Sequence, residues 1–284
     1  MLILLFLTSC TVRKDNKTVY YTFTDYFGNE VSLYKKPEKV AVLMSSLADI
    51  WKLSGGEVSI TVGETLERGI ASSDAVLVDK GAGKSIDIEA LLAAQPDFVV
   101  CSADISAQLE VCRLLNGTGI PCAAMRVETF DDYLETLRIF TEITGKTTLY
   151  DEHGIEVGNR IKEIKNRTSG FDGEKVLFIR AGSKQSAVKA KTAREHFACV
   201  ILDDLGTHNI AENATVLLDG LSIEEIIKEN PKHIFITSMG DEEASRAYME
   251  NLFALPQYKA LDAVKNGNCH YLPKELFQYK PNGR

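Results

Sequence analysis

Apolar positions fall along the chain in short continuous runs. Val40–Met44, Ala75–Val78, Phe98–Cys101 and Cys122–Arg126 are near-uniform β-type segments. Val176–Arg180, Ile234–Thr237 and Cys269–Leu272 repeat the pattern later. Helical spacing occupies the stretches between them. Continuous apolar strands separated by helices predict parallel sheets covered on both faces. Ahead of them, Tyr20–Asp25 and Val31–Leu33 flank Phe27-Gly28-Asn29, which predicts a β-hairpin. Thr129 is a good N-cap for the helix that follows, and Gly145 is a good terminator for it. From Thr147 to Arg167 there is no proline, and Val157, Ile161 and Ile164 keep helical spacing. A helix of ~20 residues spans roughly 30 Å. Gly154 and Gly158 each weaken it by about 1 kcal/mol relative to Ala. The alternative is two short helices broken near Gly154.

The pattern occurs twice. Residues 86–102 read IDIEALLAAQPDFVVCS and residues 221–237 read LSIEEIIKENPKHIFIT. Ile88 matches Ile223, Glu89 matches Glu224 and Pro96 matches Pro231, all 135 positions apart. Each copy has an Asp or Ser cap, a Glu in the first helical turn, a Pro after the helix and then a β-rich run. Val40–Met44 parallels Val176–Arg180 at an offset of 136. Two matches at nearly one offset predict two similar α/β lobes. Their expected bounds are 20–145 and 171–284, with a linking helix over 146–170 and a tether over 1–19.

Composition narrows the partners. The chain has 284 residues, 45% hydrophobic and 25% charged, as in soluble globular proteins. The net charge of −8 argues against nucleic acid, which requires a basic field. Six cysteines without a CxxC pair exclude a disulfide scaffold, a zinc ribbon and a thioredoxin-like motif. Leu2–Leu7 are apolar and are followed by Thr8-Ser9-Cys10, which resembles a bacterial lipobox. On this reading Cys10 takes a lipid anchor, the recorded start lies inside the true signal peptide, and the body works outside the cytoplasm. A short apolar strand with an ordinary cysteine is the alternative. The abrupt end at Tyr279–Arg284 suggests that a final element is missing.

Ligands of open parallel sheets bind beyond the C-terminal ends of the strands. Those ends carry Ser45, Ser46, Lys80, Ser102, Arg126, Arg180 and Met239. The segment from Arg180 to Arg194 adds Lys184, Lys189 and Lys191 and contains no acid. Five cations in an acidic chain point to an oxyanion ligand, a solvated basic loop being the alternative. His270 and Tyr279 lie near the end of the second lobe and are candidates for lining a cleft or for ligating a metal, packing being the commoner role of such residues. Gly81-Ala82-Gly83-Lys84-Ser85 fails as a phosphate loop because Val78 stands where its first glycine belongs. No catalytic Cys-His signature is present, and the histidines are scattered. Cys101 and Cys122 both lie at ends of predicted strands and are a candidate pair; otherwise the cysteines after Cys10 read as small apolar fillers.

Several segments together resemble the solute-binding proteins of bacterial iron-complex and vitamin B12 ABC importers. They are FTDYFGNEVSLYKKPEKVAVL, DIEALLAAQPDFVV, GIPCAAMRVETFDDYLETLRIFTEITG, LSIEEIIKENPKHIFI and VKNGNCHYLPKELFQYKPNGR. The resemblance implies two Rossmann-like lobes joined by one long helix, with the ligand between them. It implies a monomer without catalysis or cofactor, tethered to the membrane. The implied partners are an ABC permease with its ATPase and a ferric siderophore, with haem or cobalamin as alternatives. In that family, glutamates at the positions of Glu89 and Glu224 dock into arginine pockets of the permease. Stabilisation of a helix N-terminus is the competing role for both. An enzyme on the same scaffold would need a nucleophile–base pair or a cofactor loop, and neither is found.

Overall fold

The computed structural model describes residues 18–80, 85–168, 173–218 and 220–278. The chain opens with an antiparallel hairpin of β1 (Tyr21–Thr24) and β2 (Glu30–Leu33). Its turn uses Gly28 at φ 81°, a conformation that a side chain would strain. The first sheet follows, with β3 (Val40–Val42), β4 (Ile60–Thr61), β5 (Val76–Leu77), β6 (Phe98–Ser102) and β7 (Cys122–Met125) in the order β5-β4-β3-β6-β7, all parallel.

Alternation along the strands assigns the two faces. Val40, Val42, Phe98 and Val100 pack under α1 (Ser45–Leu53) and α5 (Phe130–Thr144), with Trp51, Tyr133 and Phe140 in the same core. Ala41, Val99 and Cys101 face the other way, onto Leu91 of α3 (Ile88–Ala93) and Val111 and Leu115 of α4 (Ser106–Leu115). The short α2 (Gly63–Glu67) lies between β4 and β5. Thr129 caps α5 in a reciprocal box with Asp132, and Gly145 ends the helix at φ 72°.

The stretch after Gly145 runs as α6 (Thr148–Tyr150), a π-helical segment (Asp151–Ile155) and α7 (Glu156–Thr168). Gly154 sits in the π segment, where a Cβ would come within 3.0 Å of the Leu134 side chain and 3.3 Å of Leu137. The Tyr133 hydroxyl donates to the His153 carbonyl across the same contact. The glycine thus lets this segment lie close against α5.

The second sheet comprises β8 (Glu174–Ala181), β9 (Lys189–Ala190), β10 (Thr207–Asn209), β11 (His233–Ser238) and β12 (Cys269–Leu272). Its path is β10-β8-β11-β12, parallel throughout, with β9 antiparallel to β8. Val176 and Phe178 pack against α8 (Phe197–Asp204). Leu177, Ile179, Ile234 and Ile236 pack against α9 (Ile223–Glu229) and α10 (Glu242–Phe253). The short α11 (Pro256–Lys259), α12 (Asp262–Lys265) and α13 (Lys274–Phe277) complete the lobe.

The sheets share a four-strand plan. β4-β3-β6-β7 in the first corresponds to β10-β8-β11-β12 in the second, and α3 and α9 begin at the matched Ile88 and Ile223. Each predicted strand lies within two residues of an observed one. β4, β9 and β10 were not expected from the sequence; at two or three residues they are too short to make an apolar run. The sequence-suggested Cys101–Cys122 pairing is corrected: Cys122 is disulfide-bonded to Cys112 of α4. Cys101 sits beside that bond as a buried free thiol.

Candidate functional site

In a parallel βαβ unit the helix returns to the start of the next strand. Strand C-termini and helix N-termini therefore share one edge of each sheet. In the first lobe that edge begins at α1, directly after β3. Ser45 is buried, donates to Glu64 Oε2 at 2.6 Å and accepts from Arg68 Nη1 at 2.9 Å. Ser46 lines a shallow depression with Met44, Leu47, Ser102, Asp104, Met125 and Val127. The Ser102 amide donates to Gln108 Oε1 at 2.7 Å, and Gln108 Nε2 reaches the Leu43 carbonyl. Gln108 is fully buried and stitches the ends of β3 and β6 together. Nothing in its local sequence marks that role, which depends on the pairing of the two strands.

Arg126 follows β7. Its Nη1 donates to the Tyr26 hydroxyl at 2.5 Å, and its Nε lies 3.0 Å from Asp104 and 3.8 Å from Glu128. The guanidinium also lies over the Tyr26 ring, 5.3 Å from its centroid. Hydrogen bonding to Tyr26 is the leading cause of the raised Arg126 pKa, so the cation is firmly held. Sequence reading did not select Tyr26. Its signal was two adjacent aromatic residues beside a glycine at a hairpin tip, where Tyr26 and Phe27 stay half exposed. Lys80 reaches Asp87 at 3.7 Å and so serves the cap of α3. Trp51, just after this rim in sequence, is in the core, edge-on to Phe140 and bonded through Nε1 to the Glu57 carbonyl.

The second-lobe edge is cationic. Arg180 is the penultimate residue of β8 and pairs in register with Lys189 of β9, which sets the two side chains side by side. Arg180 Nη2 also contacts Met239 Sδ at 2.7 Å, just past the end of β11. Lys191 is half buried and pairs with Glu195 at 3.1 Å, so it is the one locally neutralised member of the basic segment. Among the described residues, Arg180, Lys184, Lys189 and Arg194 have no ion pair. His196 lies behind them, tilted against Phe178 with ring centroids 4.6 Å apart. Burial first, then the charges of Arg180 and Lys191, push its pKa down to about 4.

His270 lies elsewhere. It is the second residue of β12, stacks on Phe235 and shares a 3.0 Å contact with His233 at the beginning of β11. Its partners hold it on the sheet face, toward the strand starts. Cys10 and Tyr279 lie outside the described residues, as do Gly81 to Lys84. Glu89 and Glu224 are each the second residue of the matched helices α3 and α9, and both are exposed. No helix among the described residues is long and apolar enough to cross a membrane.

Two sheets of one plan, each with a polar rim at its strand ends, define the architecture to be matched. Residues 40–276 match the model of a family described as periplasmic binding protein. The chain belongs to that family. It is therefore a solute-binding protein rather than an enzyme. The iron-uptake system-binding protein of Bacillus subtilis is 25% identical over 187 residues, which are 65% of this chain and 57% of that protein's length. The petrobactin-binding protein YclQ of B. subtilis is 24% identical over 272 residues, 90% of this chain and 80% of the relative. The crystal structure of YclQ has a TM-score of 0.74 at 19% identity, covering 93% of this chain and 92% of the other. The iron uptake substrate-binding protein PiuA of Streptococcus pneumoniae has a TM-score of 0.73 at 19% identity, covering 92% of both. These structural likenesses establish the fold.

Proposed function

We propose that this periplasmic binding protein captures an anionic ferric siderophore between its two rims and delivers it to an ABC importer. The observation that carries the reading is the cationic second-lobe rim, where Arg180 and Lys189 stand side by side. Guanidinium and ammonium groups at a strand-end site suit carboxylate or catecholate oxygens, with Arg offering paired donors. Arg126 contributes a further cation from the first-lobe edge, with Tyr26 beside it. The names of the two B. subtilis relatives, which refer to iron uptake and to petrobactin, favour iron complexes as the ligand class.

The site needs no catalytic group and no resident cofactor; iron arrives inside the ligand. Glu89 and Glu224 are proposed as the docking points. Each is exposed at the rim end of its lobe, so the pair sets two contacts at a fixed separation on the face offered to a permease. Two-point electrostatic docking governs orientation and on-rate more than affinity. Cys10 is proposed to carry a lipid that holds the monomeric protein on the outer face of the cytoplasmic membrane.

Calorimetric titration with ferric catecholate and ferric carboxylate siderophores, haem and cobalamin tests the ligand. Saturable binding of at least one ferric siderophore is expected. Binding of haem alone, seen as a Soret band, would replace the siderophore reading, and silence across the panel would remove it. Mass analysis of the mature protein beside Cys10→Ala tests the anchor, which should vanish in the variant.

A further inference from the structure

The first lobe holds a second cluster of chemically active side chains, on the face of its sheet covered by α4. Cys101 of β6, Cys112 of α4 and Cys122 of β7 place their sulfurs within 4.8 Å of one another. All three lie on the sheet face covered by α4, together with Val99, Val111, Leu115 and Ala124. Cys112 and Cys122 are disulfide-bonded. The Cys101 sulfur is 2.8 Å from Cys112 and 3.9 Å from Cys122. The disulfide uses two of the three sulfurs. The third is a fully buried free thiol on a central strand, where a small apolar residue would fill the same space.

We propose that the reduced form of this triad binds one thiophilic d10 cation, Cu(I), through Cys101, Cys112 and Cys122. Three features select that ion. The donor set is all sulfur, and soft thiolates favour Cu(I) over hard cations. It has three members: among the described residues no His, Asp or Glu joins the group, whereas structural zinc takes four ligands. The spacing also suits trigonal coordination. Metal–sulfur bonds of ~2.3 Å in a plane need sulfurs about 4 Å apart. The Cys101–Cys122 separation already meets that, and opening the disulfide frees Cys112 to swing outward. Cys112 and Cys122 are only half buried, which leaves a path for the ion to enter.

The electron and proton balance is closed by a dithiol. An external dithiol gives two electrons and two protons to the Cys112–Cys122 bond and becomes a disulfide itself, leaving three protein thiols. Binding Cu(I) then releases up to three protons. The oxidised and metal-loaded states are mutually exclusive, and each ties α4 to the sheet.

The test uses the whole chain, reduced with dithiothreitol, desalted without oxygen and titrated with Cu(I) against bathocuproine disulfonate. One equivalent per chain is expected, with X-ray absorption giving three sulfur neighbours. The disulfide form should take none. Cys101→Ser and Cys101→Ala should each lower affinity at least tenfold, with Cys199→Ser as an unaffected control; the alanine variant guards against a fold disturbed by a buried hydroxyl. The triple serine variant should not compete. A coordination number of two, wild-type affinity in both Cys101 variants, or a reduced protein no better than the triple variant would overturn the proposal. Siderophore binding is measured separately, so either result stands independently of the cleft.

Discussion

The two lobes share a strand plan but differ immediately after their first central strand. In the first, β3 runs into α1, and the polar groups there are spent internally, with Ser45 bonded to Glu64 and Arg68 and Ser102 bonded to Gln108. In the second, β8 turns into the antiparallel β9 and brings Lys189 beside Arg180. The first-rim cation that follows β7, Arg126, also lies against Asp104 and Glu128. Among the described residues, the first rim holds its charges in pairs, while the second presents unpaired cations. A duplicated scaffold has thus divided paired and unpaired charge between its copies, and the division can be tested.

The largest effect should come from the charged side. Arg180→Ala together with Lys189→Ala is expected to weaken siderophore binding at least ~100-fold, since removing a charge-assisted contact costs about 1.5–3 kcal/mol. Ser45→Ala should leave affinity within a few-fold and act on stability instead, because its hydroxyl serves Glu64 and Arg68. Calorimetry on the two variants separates these outcomes. Equal losses would break the division between rims.

A second comparison concerns delivery. Reversing Glu89 and Glu224 together to Lys should abolish uptake by cells while ligand affinity stays within twofold. Each single reversal should leave partial uptake, because one docking point remains. Unchanged uptake in the double variant would reduce both residues to ordinary first-turn acids of α3 and α9.

Much of this plan was legible in the sequence. The seven apolar runs mark seven strands, and the match of Ile88 with Ile223 marks the paired helices before the structure places them. The basic segment is equally plain from Arg180 to Arg194. What escaped depends on pairing between distant segments. β9 is two residues long and exists because β8 offers it an edge. Tyr26 meets Arg126 only because the hairpin tip folds against the end of β7, with the Tyr26 amide bonded to the Ala124 carbonyl. The Cys112–Cys122 disulfide was missed for the same reason. Strand ends suggested Cys101 with Cys122, but α4 crosses the sheet and brings Cys112 to the same point. His270 seemed to serve the rim by its place in sequence, yet its position in β12 sends it to His233.

A medium effect tests the buried backing of the charged rim. His196 titrates at about 4 when folded, against an ordinary 6.5, chiefly because it is buried and secondly because Arg180 and Lys191 repel its charge. A depressed histidine pKa means that the unfolded chain binds the proton first. Stability is therefore whole above pH 6.5 and falls as pH drops from 6.5 toward 4. After allowance for partial solvent screening, the loss should be on the order of 2 kcal/mol. Denaturant melts of His196→Phe should lack this slope. A wild-type slope in the variant would assign the acid sensitivity to other groups.

The smallest expected effect compares the two lobes at their matched helices. Asp87 caps α3, accepting from the amides of Glu89 and Ala90, whereas Ser222 stands at the same place before α9 without a side-chain cap bond. The backbone bond to Ala90 is the leading cause of the lowered Asp87 pKa. Asp87→Ala should therefore lower the melting temperature by about 2 °C at neutral pH, and Ser222→Ala by less than a degree. A carboxyl pKa held below its unfolded value contributes stability above that value and loses it as pH falls through the folded one. The Asp87 effect should accordingly fade as the solution is acidified below 3.8, while the Ser222 variant shows no such trend. Equal effects at neutral pH would mean that the cap in the first lobe is as idle as the one in the second. The docking helices would then differ in sequence alone, and the asymmetry between the lobes would be confined to the cationic rim.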